Sequence, residues 1–278
     1  MKGSPPATAG FSLPLSLPGD RRSDRESRPE GWGDPLTTSR ELLEETIEAH
    51  GGRERWRAVR EIEFALSSGG FAFFSRCQPL ALKNVKVSLR PHERQTLIGD
   101  FPHSGRQGAW TPDRVEIRDP DGALIGERRD PRRHFRGPLK QGYWDKLDIL
   151  YFAGYALWNY LTFPFLLEEP GVVVAEADAA AASSRVDAVF DPSFPTHSAR
   201  QSFHLDSSRR LVRHDYTADV IGGYATAANF CLASAEVDGL RFYVRRKVCA
   251  RFGPSTVVRF PTLVWIEIED VRVNWNGA

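Results

Sequence analysis

Apolar and polar side chains alternate along much of this chain, and the alternation predicts a protein built mainly from β-strands. The first half carries such runs at 62–66, 85–89, 96–98 and 114–118, and further runs follow across 172–273. A period of two places successive side chains on opposite faces of a strand. About a dozen short runs separated by turn signals favour a sandwich, a barrel or an open half-barrel over a parallel α/β sheet.

Turn and capping residues divide this pattern into elements. Asp119-Pro-Asp-Gly122 and Asp238-Gly239 lie between alternating runs, and each predicts a hairpin. The spacing of Thr38 and Glu41 is that of a capping box, which predicts the start of a helix that Gly51-Gly52 ends.

One long segment, 144–167, departs from the strand pattern and predicts a helix. It contains no charge from 149 onward, and Pro164 is expected to end or kink it. Three interpretations remain open: a transmembrane span, a buried helix that plugs the hollow of a curved sheet, and a helix that lines a ligand pocket. The last two are compatible, because both put the helix on the concave side. The residues expected to line a pocket are Tyr151, Tyr155, Trp158, Asn159 and Thr162.

The side chains best suited to chemistry lie in the predicted hairpin over 203–216. Strand alternation puts His214 and Tyr216 on one face and Asp215 on the other, so Asp215 is not expected to orient His214 as in a catalytic triad. His204 joins His214 and Tyr216 if the connection spans four residues, and does not if the turn has two. These three are the candidate catalytic residues, with proton transfer as their chemistry. The alternative is an outward-facing polar pair on an amphipathic strand.

Composition and charge exclude some partners. The chain has 278 residues, 41% of them hydrophobic, and its 37 basic and 36 acidic residues leave a formal net charge of +1. Such a balance implies no cationic stripe for phosphates, so nucleic acid is not an expected partner. Residues 1–36 are rich in Gly, Pro, Ser and charge, which predicts a disordered N-terminal arm ahead of a single domain over 37–278.

Motifs for familiar cofactors and metals are missing from the sequence. It has no G-x-G-x-x-G, no Walker loop and no G-x-S-x-G, which argues against a dinucleotide enzyme, an NTPase and an α/β-hydrolase. Cys77, Cys231 and Cys249 are scattered and odd in number, so neither a zinc site nor a disulfide framework is expected. We therefore predict no cofactor and no metal. The broken apolar pattern of 1–36 does not resemble a signal peptide, so the predicted location is cytoplasmic.

Several short segments add a family resemblance. They are AHGG at 49–52 with Trp56, FAGYALWNYL at 152–161, HDY at 214–216, and the pairs Gly222-Gly223 and Asp238-Gly239. Over most of 40–275 the chain resembles the LolA/LolB-like superfamily of bacterial outer-membrane lipoprotein carriers and sorters. The resemblance implies an unclosed β-barrel whose helices cover the open side and which holds lipid-like or other apolar ligands. It departs from the carriers in showing no export signal. A catalytic relative of this fold is the violacein-pathway enzyme VioE, from which no residue role is carried over.

Two functional hypotheses follow. The first is a protein that binds or carries a hydrophobic small molecule or acyl chain in the cavity of the half-barrel. The alternative is a cofactor-independent biosynthetic enzyme that cyclises or rearranges a hydrophobic metabolite by proton transfer in the same cavity. Membrane contact is not expected unless segment 149–167 is exposed, and the sequence predicts no oligomeric state.

Overall fold

All the strands of the described residues belong to one curved antiparallel sheet. The computed structural model describes residues 35–175, 185–253 and 255–277, and its 14-stranded sheet does not close into a barrel. Of the predicted disordered arm, 1–36, positions 1–34 lie outside the described residues. The strands are β1 (Val59–Gly69), β2 (Leu82–Arg90), β3 (Gln95–Gly99), β4 (Gln107–Thr111), β5 (Arg114–Arg118), β6 (Leu124–Arg129), β7 (Val172–Val174), β8 (Arg185–Phe190), β9 (Arg200–Leu205), β10 (Leu211–Thr217), β11 (Thr226–Val237), β12 (Leu240–Phe252), β13 (Thr256–Val258) and β14 (Val264–Trp275).

The strand order is β6-β5-β4-β3-β2-β1-β14-β12-β11-β10-β9-β8-β7, with β13 paired to β12 beside this path. Neighbours in the sheet are therefore mostly neighbours in the chain, as expected for a series of hairpins. The main exception is β14, which pairs with β1 on one side and with β12 on the other. The fold class predicted from the alternating pattern, an unclosed half-barrel of antiparallel strands, is confirmed.

Four α-helices within the described residues accompany the sheet. They are α1 (Pro35–Ala49), α2 (Arg53–Arg57), α3 (Phe71–Phe74) and α4 (Lys146–Thr162), and short 3-10 helices lie at Pro131–Phe135, Pro138–Gln141 and Phe165–Glu168. Helix α1 begins three residues before Thr38, so Thr38 lies within the helix, and the prediction that it starts the helix is wrong. Proline suits the first turn because that position needs no N–H donor.

Helix α4 fills the concave side of the sheet, as the plug interpretation predicts. Its residues are buried from Asp148 through Thr162, and it ends immediately before the Phe163-Pro164 pair. Asp145 caps its N-terminus in a capping box with Asp148. Gly154 allows close packing, because a Cβ there would overlap Cβ and Cγ of Trp110 on β4. None of the helices in the described ranges has the length and apolarity to cross a bilayer.

Candidate functional site: an apolar cavity and a buried polar cluster

An apolar cavity of about 420 Å³ opens beside helix α3, on the inner faces of β11 and β12. Its volume falls in the range of about 300–1,000 Å³ typical of small-molecule sites. Most of the side chains that line it are apolar or aromatic, and they include Phe71, Phe152, Tyr216, Ala227, Val248 and Val264. Tyr224 and Phe252 also line it and are largely exposed, so they mark its mouth.

A narrow crevice continues inward from the cavity, between α4 and strands β1 and β14. The crevice has a volume of about 30 Å³ and shares Phe152, Tyr216 and Val264 with the cavity. Its lining adds Tyr160 from α4 and Ile266 from β14. A space of this size has room for about one water molecule. The apolar path therefore reaches from an exposed mouth to the paired hydroxyls of Tyr160 and Tyr216, which are 2.8 Å apart.

The cavity and crevice lie against a different face of α4 from the one predicted. Phe152, Ala156 and Tyr160 face the crevice, whereas Tyr155, Trp158, Asn159 and Thr162 line neither the cavity nor the crevice.

The polar groups of those four predicted residues form hydrogen bonds inside the protein and do not face the cavity. Trp158 donates its indole N–H to the carbonyl of Pro91 at 3.0 Å, and the Thr162 hydroxyl donates to the Trp158 carbonyl at 2.7 Å. Asn159 donates to the carbonyls of Tyr155 and Pro195, and all four side chains are buried.

Tyr151, the fifth predicted pocket residue, lines a separate cleft of about 500 Å³. Arg132, Arg133 and Arg136 lie along the same cleft together with Asp130 and Asp219, so its lining is charged. This cleft is thus chemically different from the apolar cavity that Tyr216 reaches.

The register of the 203–216 hairpin separates the three candidate catalytic residues. His214 pairs with Phe203, and His204 pairs with Arg213. His204 therefore projects from the face opposite His214, where it lies 3.2 Å from Asp215. The strands are joined through residues 206–210, and a register shift follows Leu211, so the four-residue connection that would unite the histidines is not formed. The predicted separation of Asp215 from His214 and Tyr216 is confirmed.

Tyr216 belongs to a buried cluster of aromatic and imidazole rings that packs against α4. The ring of His197 stacks on Tyr216 with centroids 3.8 Å apart, and Nδ1 of His197 lies 3.2 Å from the Tyr155 hydroxyl. Nε2 of His197 has no hydrogen-bond partner within the described ranges. His214 stacks on Phe203 with centroids 4.3 Å apart and lies 2.6 Å from the Gln201 amide oxygen. His197 comes from the loop between β8 and β9, in the segment Pro195-Thr-His-Ser198. This segment favours a solvated loop histidine, with a place at the cavity rim as the alternative, but the structure buries the side chain completely.

Arg246 places a buried positive charge at the same cluster. It is 1% exposed, and its guanidinium lies 4.5 Å from the ring centroid of Tyr160 and 5.3 Å from that of Tyr243. It donates to the carbonyl of Tyr160 at 3.2 Å and to the thiol of Cys231 at 3.3 Å. In the described part of the chain no carboxylate forms an ion pair with it. Sequence reasoning missed Arg246 because it lies in a strand that is rich in arginine.

Burial determines the protonation states of this cluster. It lowers the pKa values of His197 and His214 well below the usual range, and nearby positive charges act in the same direction. It raises the pKa of Tyr216 well above 10 and that of Tyr160 to about 12. At neutral pH the imidazoles are therefore neutral and the phenols are protonated. The Tyr160–Tyr216 pair can thus donate a hydrogen bond to a bound molecule but is a poor base.

A second charged group surrounds the N-terminus of α4. His134, Asp145 and Asp148 lie close enough to suggest a metal site. Their carboxylates, however, already accept hydrogen bonds from Arg128, and Asp148 also accepts one from Lys140 at 2.5 Å. The arrangement is therefore a salt-bridge cluster that anchors α4.

Comparisons with known proteins give structural similarities only. No family model matches the chain, and no curated protein sequence matches it. A DUF1329 family protein from Desulfovibrio piger is 11% identical, with a TM-score of 0.47 over 88% of this chain and 95% of that one. The lipoprotein LppX of Mycobacterium tuberculosis is 9% identical, with a TM-score of 0.30 over 88% and 98% of the two chains. The LolA superfamily protein NE2245 from Nitrosomonas europaea is 8% identical, with a TM-score of 0.46 over 85% and 93%.

Proposed function

We propose that this protein binds and carries a hydrophobic small molecule or acyl chain in its apolar cavity. The observation that supports this most directly is the 420 Å³ space, which runs from an exposed mouth to Phe152 and Tyr216. Each methylene group moved from water into such a space contributes about 0.8 kcal/mol. About ten buried methylenes would contribute about 8 kcal/mol, which corresponds to micromolar binding before the costs of ordering are subtracted.

The inner end of the path suits one polar group on the ligand. When the hydroxyls of Tyr160 and Tyr216 bond to each other, one donates its proton and the proton of the other stays available. A carbonyl or carboxyl oxygen that enters the crevice would accept that hydrogen bond. The favoured ligand is therefore an elongated apolar molecule with a hydrogen-bond acceptor at its leading end.

A cavity-filling substitution tests this proposal. Ala250 lines the cavity from β12, so Ala250→Phe places a ring in the space where the ligand would lie. We expect the variant to bind a fluorescent long-chain fatty acid at least about tenfold more weakly, a change of about 1.4 kcal/mol. The matched control is Leu232→Phe, which adds a ring at an exposed position of β11. Equal affinity in both variants contradicts the proposal, and native mass spectrometry of the purified protein tests for a retained ligand independently.

The enzymatic alternative now depends on Tyr216 alone. Tyr216 lines the cavity, whereas His214 lines neither the cavity nor the crevice. Because its pKa is raised, Tyr216 would act as a proton donor to a bound metabolite. The enzyme hypothesis therefore requires that Tyr216→Phe lower turnover about a hundredfold or more while binding is retained.

A further inference from the structure

Large apolar side chains are exposed in a group around the cavity mouth. Phe260, Leu139 and Tyr224 are 86%, 84% and 70% exposed, which is unusual for side chains of this size. Five more belong to the same segments and are at least half or nearly half exposed: Phe71, Phe74, Leu80, Tyr143 and Phe252. We call the segments that carry them, 71–83, 137–144, 220–227 and 249–264 without residue 254, the collar.

Hydrogen bonds on one side of the mouth join α3 to the segment directly before β14. The amide of Phe71 donates to the Thr262 carbonyl at 3.0 Å, and that of Ala72 donates to the Leu263 carbonyl at 2.9 Å. Strand β13 then pairs with the end of β12, where Arg251 lies opposite Val257. The Thr226 hydroxyl donates to the carbonyl of Arg251.

The other side of the mouth completes the ring. Gln141 donates to the carbonyl of Ile221 at 2.8 Å, and the Tyr224 hydroxyl donates to the side chain of Gln141. The amide of Trp144 returns the path to α3 by donating to the Arg76 carbonyl at 3.2 Å. The four collar segments therefore form a closed circuit, and residues from each of them line the cavity that it surrounds.

The charge of the collar is one-sided. Its segments contain Arg76, Lys83, Lys140, Arg251 and Arg259, and no aspartate or glutamate. The whole chain, by contrast, has 37 basic and 36 acidic residues. Lys83 and Arg259 are exposed, and neither forms an ion pair within the described ranges. Lys83 and Arg259 thus place positive charge beside the exposed apolar side chains. The acidic residues directly outside the segments, Asp145 and Asp219, pair with Arg128 and Arg132.

We propose that the collar docks the protein onto the surface of an anionic lipid assembly, with the cavity mouth facing the lipid. Exposed Phe, Tyr and Leu side chains suit the boundary between head groups and acyl chains, and flanking cations are attracted to anionic head groups. A second copy of the chain fits this surface less well, because two collars facing each other would bring like charges together. The passage of a ligand through the mouth depends on the proposed function. The docking itself depends only on the exposed apolar and cationic side chains of the collar.

Vesicle flotation tests the docking. We expect the full chain to float with vesicles of phosphatidylcholine and phosphatidylglycerol in equal parts, and to float less with phosphatidylcholine alone or at high salt. Phe74→Ser with Phe260→Ser should lower the partition coefficient about tenfold, and Lys83→Glu with Arg259→Glu should remove the preference for anionic vesicles. Val173→Ser with Leu232→Ser removes two exposed apolar side chains away from the collar and should leave the partition unchanged.

The docking is overturned by absence of the wild-type chain from floated anionic vesicles, or by equal loss in the collar and control variants. Concentration-dependent dimerisation that the collar variant abolishes, without vesicle binding, assigns the surface to self-association and also overturns it. Binding of the fluorescent fatty acid in vesicle-free buffer is measured on the same samples. Fatty-acid binding without flotation removes only the docking, and flotation without fatty-acid binding removes only the proposed function.

Discussion

The imidazole ring of His197 lies flat on the phenol ring of Tyr216, with centroids 3.8 Å apart and an angle of 8° between the planes. His197 is also within hydrogen-bonding distance of Tyr155 on α4, at 3.2 Å. The loop before β9, helix α4 and strand β10 therefore meet at one point beside the inner end of the cavity. A ligand that contacts Tyr216 thus touches a side chain fixed from both sides.

Removing the hydroxyl of Tyr216 tests the predicted polar contact. We expect Tyr216→Phe to weaken binding of a long-chain fatty acid by about 0.5–1.5 kcal/mol, because one neutral hydrogen bond is lost. Binding of the matching alkane, which has no acceptor, should be unchanged in a competition assay. An equal loss for both ligands would mean that the ring packing, and not the hydroxyl, carries the effect.

Acid should destabilise the fold steeply. Burial lowers the pKa of His50 to about 4 and those of His197 and His214 below their usual range, so the folded state binds fewer protons than the unfolded state. The stabilisation is fully present above the unfolded pKa of about 6.5 and is lost as the pH falls from there toward the folded values. Each histidine contributes a slope of about 1.4 kcal/mol per pH unit in that window.

Urea unfolding at a series of pH values between neutral and 4.5 measures this slope. His214→Gln should lower by about one the number of protons that the protein takes up when it unfolds in this pH range. His103→Gln changes an exposed histidine and should leave the slope as in the wild type. Identical slopes in wild type and His214→Gln contradict the prediction.

Asp148 should be essential for anchoring α4. It is fully buried, and it accepts hydrogen bonds from Arg128 at 2.8 Å and Lys140 at 2.5 Å while its carboxylate lies 2.8 Å from Nδ1 of His134. Asp148→Asn removes the charge that these groups share, and we expect a loss of about 3–5 kcal/mol of unfolding free energy. Asp121→Asn, at an exposed position of the β5–β6 turn, is the control and should change it by less than about 0.5 kcal/mol. A similar small effect for Asp148→Asn would show that the cluster is not structural.

Gly154 should tolerate no side chain. Alanine favours a helix over glycine by about 1 kcal/mol, but a Cβ at this position overlaps Trp110. We therefore expect Gly154→Ala to destabilise the protein by about 1–3 kcal/mol, as measured by thermal unfolding. Gly142→Ala, where a Cβ meets open space, should be nearly neutral. If the clash is the cause, the cost of Gly154→Ala must be smaller in a Trp110→Leu background.

Local patterns predicted the elements of this fold well. Alternation located most strands, the turn at Asp238-Gly239 adopts positive φ angles of 50° and 78°, and α4 ends before Pro164 as expected. These features depend on neighbours in the chain, which the sequence displays directly.

The side of α4 that meets the cavity could not be predicted in the same way. Helical spacing shows that Tyr155 and Trp158 lie near each other on α4. Their face of the helix is covered because the loop that carries Pro195 and His197 packs against it, and helical spacing does not reveal the position of that loop. Phe152 and Tyr160 face the open space instead. The collar gave no local signal either, because its members come from four segments that meet only in the folded chain.

The central position of β14 affects how the protein can be assembled during synthesis. In the part of the chain that the structure describes, strands β1 to β6 and β7 to β13 form two half-sheets whose only shared strand partner is Val264–Trp275. A nascent chain that has not yet released this strand from the ribosome therefore presents two long, unpaired edges at its middle. Such edges readily pair with other chains, so the insertion of β14 between them is also the step that protects the molecule from aggregation.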